Sequence, residues 1–184
     1  MPTPADKQLV LMIGLPSCGK TTKSRKIVRE GDALFEFDQF FYTEVGSDPE
    51  SYDWSRKLMG EAKRWNLDRI FGALDAGVSR VIVDSDNQAH SFTKLYVERA
   101  VNLGYDVVFC EPDTTWWQEI RRLLRDKKAN AEPLERWAEK LSSMSRGTHR
   151  VGVETFRRRI RRWIPDITAD HILAVDSAPT KVGN

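Results

Sequence analysis

No apolar run in this 184-residue chain approaches the roughly 18 residues of a membrane-spanning helix, so no membrane partner is expected. Residues 1–8 lack the basic-then-apolar layout of a secretion signal, which makes the cytoplasm the expected compartment. Cysteine is scarce. Cys18 and Cys110 are too few for a disulfide framework, and this fits reducing surroundings. There is no sustained heptad, internal repeat or low-complexity segment, which excludes coiled-coil and collagen-like architectures. Net charge is small as well, at +2, and by itself points to no partner.

What is present is a core and an uneven distribution of charge. Hydrophobic residues make up 40% of the chain and charged ones 30%, which allows a sizeable core and excludes disorder. The length fits a single domain, taken as residues 1–184. Residues 1–114 carry 14 basic and 18 acidic side chains, whereas residues 115–163 carry 14 basic and only 6 acidic. A concentrated positive segment in a nearly neutral protein is the footprint of a polyanionic ligand, although a solvated helical face has the same composition.

Leu9-Val10-Leu11-Met12-Ile13 is an unbroken apolar run of strand length, the pattern of a strand buried on both faces of a parallel sheet. Similar short runs at residues 33–37, 81–83, 106–110 and 171–175 predict four more strands. Helical spacing covers residues 20–29, 54–76, 92–103, 116–128, 133–144 and 153–163. Strands alternating with helices predict an α/β domain with right-handed crossovers. Residues 129–132, before Pro133, read as a hinge, and residues 178–184 as a frayed end.

Between the first strand and the first helix, residues 14–21 spell G-L-P-S-C-G-K-T, a complete G-x-x-x-x-G-K-[ST] phosphate loop. Its glycines let the backbone curl so that successive N–H groups face phosphate oxygens, and the following helix turns its positive end to the same place. Gly14, Leu15, Pro16, Ser17, Cys18, Gly19, Lys20, Thr21 and Thr22 are therefore the nucleotide-binding candidates. Lys20 neutralises charge between the β- and γ-phosphates and Thr21 ligates magnesium in such a loop, so ATP and Mg2+ are the expected cofactors. Cys18 lies near a helix start, where thiols can acidify; redox sensing is a minor alternative to an incidental loop residue.

Ligands of open parallel sheets bind at the carboxyl ends of strands. Asp38 and Asp84 stand there, each following an apolar run. One carboxylate could help to hold magnesium through its water shell and the other could accept a proton from an attacking hydroxyl. Helix capping is the alternative for each, set below function for Asp84 and close to it for Asp38. Asp84-Ser85-Asp86 after a strand also matches the start of a haloacid-dehalogenase-type phosphatase, but Gln88 breaks that pattern and the phosphate loop stays unexplained by it.

Several segments together resemble one family, the P-loop kinases related to polynucleotide 5′-hydroxyl kinase, including the kinase-like domain of the ubiquitin-ligase-binding eukaryotic homologues. They are residues 14–21, Phe37-Asp38-Gln39-Phe40-Phe41, Ala62 with Trp65-Asn66, residues 82–87, Glu111-Pro112-Asp113-Thr114 and the basic helix before Pro133. The resemblance covers roughly residues 8–145. It implies a three-layer α/β/α P-loop fold with a five-stranded parallel sheet of order 2-3-1-4-5, a helical lid at about residues 115–135, and transfer of the ATP γ-phosphate to a hydroxyl. Under it Asp38 aligns with the base, Asp84 joins Thr21 at the metal, and Asn87 matches an asparagine after the third strand, on the acceptor side. The chain departs from the family at Gln39, Phe41 and Lys63, where an acid, an arginine and a histidine are common.

The lid region carries Arg121, Arg122, Arg125, Lys127 and Lys128. In the resembled kinases a lid arginine contacts the transferring phosphoryl group. Arg125 is the first choice here, since Arg121 and Arg125 share a helix face, with Arg122 or Lys127 as alternates. In residues 153–163, Phe156, Ile160 and Trp163 form a core-facing stripe, and five arginines fill the other positions. Such a helix suits the backbone of a nucleic acid, with Arg158 and Arg162 on one face and Arg121 and Arg122 as further acceptor contacts. The expected protein is thus an ATP-dependent kinase acting on a hydroxyl of a nucleic acid, DNA or RNA. A small-molecule or nucleoside kinase and a non-catalytic nucleotide-binding module are the alternatives.

Overall fold

A computed structural model describes residues 7–43, 56–147 and 150–176. Residues 54, 55 and 178–184, named above in a helix and at the frayed end, lie outside the described residues. Four strands, β1 (Gln8–Met12), β2 (Ala33–Glu36), β3 (Arg80–Asp84) and β4 (Asp106–Cys110), form one sheet of order β2-β3-β1-β4. Every neighbouring pair is parallel, with Val10 beside Ile82 and Val108, and Glu36 beside Asp84. The helices are α1 (Lys20–Ile27), α2 (Gln39–Thr43), α3 (Met59–Asp75), α4 (Ser91–Asn102), α5 (Thr115–Leu124), α6 (Ala131–Met144), α7 (Val153–Arg162) and α8 (Ala169–Leu173).

The central run behaves as a strand covered on both sides. Leu9, Leu11 and Ile13 face one core with Val81 and Val83, while Val10 and Met12 face the other with Ile82 and Ile27 of α1. Alternation along a strand forces this division, and near-complete burial of all five residues follows from it. The larger core continues into the helices: Trp117, Ile120 and Leu124 of α5 meet Leu134, Trp137, Ala138 and Leu141 of α6 and the Phe156–Ile160–Trp163 stripe. Trp117 and Trp163 pack edge to face, with centroids 5.3 Å apart. The arginine helix is therefore docked on the domain rather than projecting from it.

The expected fifth strand is corrected by the structure. Residues 171–175 do not join the sheet, and α8 stands there instead. The hydroxyl of Thr168 accepts a hydrogen bond from the His171 backbone N–H, and His171 Nδ1 accepts one from the Thr168 N–H, a reciprocal cap that starts a helix. Only Ile172 of that helix is buried, docked beside α4. The sheet therefore holds four strands among the described residues, in the order expected for the first four.

One side chain ties the carboxyl ends of β1 and β3 together. Asn87, 1% exposed, donates from Nδ2 to the carbonyls of Met12 and Val83, both at 2.8 Å, and its Oδ1 accepts from the Tyr96 hydroxyl at 2.6 Å. Burial raises the pKa of Tyr96, so its phenol stays a donor at all ordinary pH. Tyr96→Phe is expected to strand Asn87 Oδ1 without a donor and cost about 1–3 kcal/mol, read as a lower thermal midpoint. An unchanged midpoint would show that the tie carries no stability.

Candidate active site: a phosphate loop between two aspartates and an arginine-lined groove

The phosphate loop leaves β1 at Ile13, whose N–H donates to the Cys110 carbonyl at 2.8 Å, and curls through three positive-φ residues, Gly14, Ser17 and Gly19. At Gly14 and Gly19 the absence of a side chain is demanded twice. A Cβ on Gly14 would lie 3.3 Å from Lys20 Cγ and 3.4 Å from Pro112, and one on Gly19 only 2.9 Å from Thr114 Cγ2. The segment between β4 and α5 thus presses on the loop from outside. Thr114 Oγ1 donates to the Cys18 carbonyl at 3.0 Å and Trp116 Nε1 to the Ser17 carbonyl at 3.3 Å. Asp113, its pKa lowered chiefly by a 2.9 Å hydrogen bond from Lys23, fastens that segment to α1.

Lys20 turns its ammonium back into the loop and donates to the carbonyls of Gly14 (2.9 Å) and Leu15 (3.1 Å). The cation already stands inside the cradle. Cys18 is fully buried, and burial pushes its thiol up to about 12, outweighing Lys20. Burial thereby outweighs the acidification that a helix start can bring to a thiol.

Asp84 ends β3 beside this loop and is 6% exposed. Its Oδ2 accepts from Ser24 Oγ at 3.2 Å, and Thr21 bonds to the same carboxylate. Burial raises its pKa first of all and neighbouring Glu36 adds to the rise, while Lys20, Thr21 and Ser24 pull the other way. Among the described residues this carboxylate has no ion-pair partner, and no group of three or more His, Cys, Asp or Glu gathers as a metal cage. A buried, unpaired carboxylate beside two hydroxyls fits magnesium, an ion that takes few protein ligands and keeps water and phosphate for the rest.

Asp38 stands after β2, on the strand next to Asp84: the Phe37 N–H donates to the Asp84 carbonyl at 3.1 Å. Its own carbonyl accepts from the Phe41 N–H at 3.1 Å and opens α2, a helix that the sequence pattern did not reveal. Its carboxylate is near enough to help raise the pKa of the Tyr42 phenol, after burial. The following residue, Gln39, accepts from Arg69 Nη2 at 3.0 Å, and that guanidinium lies 4.1 Å over the Trp65 ring. Phe41, where the family often has an arginine, is fully buried against Phe37 and Phe40.

On the other side of the loop, an open groove of about 600 Å3 is lined by Pro112, Trp117, Gln118, Arg121, Arg122 and Arg125, with Glu111 and Asp113 at its edge. Arg121 and Arg125 share one face, as expected. Arg121 pairs with Glu111 at 3.0 Å, and both arginines reach Asp166 at 3.7 and 3.9 Å. Lys127 is committed elsewhere: its ammonium donates to the carbonyls of Arg161 (2.9 Å) and Trp163 (2.8 Å), closing the end of α7. The five arginines of α7 divide into two sets. Arg157 pairs with Glu135 and Glu154, and Arg159 with Asp86 at 2.9 Å. Arg158, Arg161 and Arg162 are exposed. Asn87, expected on the acceptor side, turns its whole amide inward. Sequence reasoning missed Glu111 and Asp166 as arginine partners, since both pairings depend on tertiary placement.

A buried parallel strand, a glycine-curled loop holding a lysine, a helix starting at that lysine and a carboxylate on the next strand define a P-loop nucleotide-binding α/β protein. The family model described as AAA domain (AAA_33) matches residues 9–150, and the chain belongs to this family of P-loop kinase domains. It is 33% identical over 119 residues to NEDD4-binding protein 2 of Homo sapiens, across 64% of this chain and 6% of that protein. Its fold is similar to a chain in the structure of the Pnkp1/Rnl/Hen1 RNA repair complex, with a TM-score of 0.53 and 14% identity over 85% of this chain and 43% of the other. The chain thus spans less than half the length of either relative. The resemblance read from the sequence is borne out at the level of the family.

The raised pKa of Asp84 sets a pH dependence of stability. The folded protein holds a proton there more tightly than the unfolded chain, so stability falls as pH rises from about 4 through the raised folded value. In chelator, Asp84→Asn is expected to remove that loss and raise the thermal midpoint at pH 7 by ~2–4 °C per kcal/mol of relief. A lower midpoint would mean that the carboxylate, not its neutral isostere, is what the fold requires.

Proposed function

We propose that this domain is a cytoplasmic, magnesium- and ATP-dependent kinase that transfers the γ-phosphate to a hydroxyl of a nucleic acid. The observation that carries the reading is the phosphate loop with Lys20 already inside it, flanked by Asp84 and Asp38 at the ends of neighbouring strands. The two free cysteines suit a reducing compartment, and no described helix is long and apolar enough to cross a membrane.

In this reading residues 14–22 wrap the phosphates with backbone N–H groups, and Lys20 moves from the loop carbonyls to the β- and γ-phosphate oxygens. Thr21 and Asp84 hold magnesium, which when bound neutralises charge on the β- and γ-phosphates. Asp38 accepts the proton of the acceptor hydroxyl as the new oxygen–phosphorus bond forms and the bond from the γ-phosphorus to ADP breaks. Arg125 supplies positive charge to the transferring group from the groove, with Arg121 and Arg122 beside it. On the acceptor side Arg158 and Arg162, i and i+4 on the exposed face of α7, bind backbone phosphates. Asn87 acts there by bracing the end of β3, which carries Asp84, against the end of β1, which leads into the loop.

A small-molecule acceptor is the second reading, and one observation favours it: Arg157 and Arg159 are neutralised by carboxylates, which leaves α7 three exposed arginines rather than five.

Lys20→Ala is expected to abolish phosphoryl transfer at saturating ATP and magnesium. Asp38→Asn is expected to lower kcat by roughly 10²–10⁴ with ATP affinity retained; collapse of ATP affinity instead would move Asp38 to the metal and make Asp84 the base. Replacing Arg158 and Arg162 by Gln is expected to flatten the logarithmic salt dependence of oligonucleotide binding by about 0.7–0.9 for each lost phosphate contact. Identical slopes, or no oligonucleotide binding by the parent protein, would shift the acceptor to a small molecule.

A further inference from the structure

Asp166 has no place in the reading above, and three observations single it out. It adopts a left-handed backbone conformation, φ +48°, that among residues with a side chain is held mainly by Asn and Asp. The residues around it are fixed: Trp163 and Ile167 are buried, and Lys127 fastens the carbonyls of Arg161 and Trp163. Its carboxylate faces the guanidinium groups of both Arg121 and Arg125, at 3.7 and 3.9 Å. A carboxylate set opposite two cations by a fixed turn is a candidate functional position.

The surroundings say what those cations are being held from. Arg121 and Arg125 line a cavity of about 10 Å3 with Ile13, Glu111 and Asp166, room for about one water. The same two arginines line the open groove of about 600 Å3 beside Pro112 and Trp117. Each therefore stands on the wall shared by the small cavity that holds Asp166 and the groove beside Pro112. Separations of 3.7 and 3.9 Å exceed hydrogen-bond length, and the side chains of Arg125 and Asp166 are more than half exposed, so the ion pairs are weak. A more highly charged anion in the groove outcompetes them.

We propose that Asp166 is a positioning residue, a resting counter-ion that holds Arg121 and Arg125 at the wall of the groove and gives them up to the γ-phosphate. Glu111 keeps its bond to Arg121 Nε, so Arg125, which has Asp166 as its only ion-pair partner among the described residues, moves more freely. The device rests on the ATP reading and adds to it a cost specific to the third phosphate. Release of the arginines opposes ATP binding but leaves ADP binding untouched.

Asparagine and glycine both tolerate left-handed backbone, so Asp166→Asn and Asp166→Gly remove the charge with the turn retained. Affinities for a non-hydrolysable ATP analogue and for ADP, each with magnesium, are measured on the parent and both variants. The expected result is a roughly two- to fivefold tighter Kd for the ATP analogue and no change for ADP, the scale of a weak exposed ion pair. In a background with both Arg121→Ala and Arg125→Ala the same gain should vanish. A merely structural turn would move both nucleotides together or neither. An unchanged ratio of the two affinities, in a parent protein that binds ATP, overturns the role of Asp166 and leaves the nucleotide reading intact. A parent that binds neither nucleotide overturns both.

Discussion

The lack of room between the phosphate loop and the segment leaving β4 sets the rest of the architecture. Gly19 sits so close under Thr114 that a single methyl would collide, Gly14 is in contact range of Pro112, and the Cys18 and Ser17 carbonyls accept hydrogen bonds from that segment. Because β4 neighbours β1, the chain that follows it is delivered onto the loop, and α5 starts there with the Thr114 hydroxyl accepting from the Trp117 N–H. One threonine thus serves both the loop and the helix cap. The position of the arginines on α5 follows from that start: helical spacing turns Trp117, Ile120 and Leu124 into the core and leaves Arg121, Arg122 and Arg125 on the groove.

Beyond α5 the basic residues are sorted by tertiary contacts rather than by sequence. Lys127 closes the end of α7, Arg157 binds α7 to Glu135 of α6, and Arg159 binds α7 to Asp86 on the loop after β3. That loop is braced further by Asn87 and by Gln88, whose Oε1 accepts from the Ile164 N–H at 3.2 Å. The arginine helix, the groove and the aspartate loop therefore form one connected unit. An acceptor bound at Arg158 and Arg162, as proposed, would be held by the same body that carries Asp84.

Much of this was legible in the chain. The run Leu9 to Ile13 and the loop after it announced themselves because a strand covered on both faces needs unbroken hydrophobicity and a phosphate cradle needs glycine at fixed places. The Phe156–Ile160–Trp163 stripe was equally plain. Residues 171–175 misled, since a short apolar run reads alike as strand or helix, and the cap between Thr168 and His171 decides for helix. The helix α2, of five residues, is too short for a periodicity to show. Of the site, the loop and the two aspartates were visible because strand ends are predictable places. The partners of the arginines were not, because Arg159 and Asp86 stand 73 positions apart and only the folded chain brings them together.

The measurement that bears most directly on the account is transfer of a γ-label from ATP, with magnesium, to a panel of hydroxyl acceptors by the parent protein. The panel holds single-stranded DNA and RNA with free 5′-hydroxyls, oligonucleotides with hydroxylated bases, nucleosides and simple sugars. The account predicts covalent label on an oligonucleotide hydroxyl, at a rate well above that for nucleosides and sugars. Label on small acceptors alone would contradict the nucleic-acid assignment, and release of label only as inorganic phosphate would contradict the kinase itself.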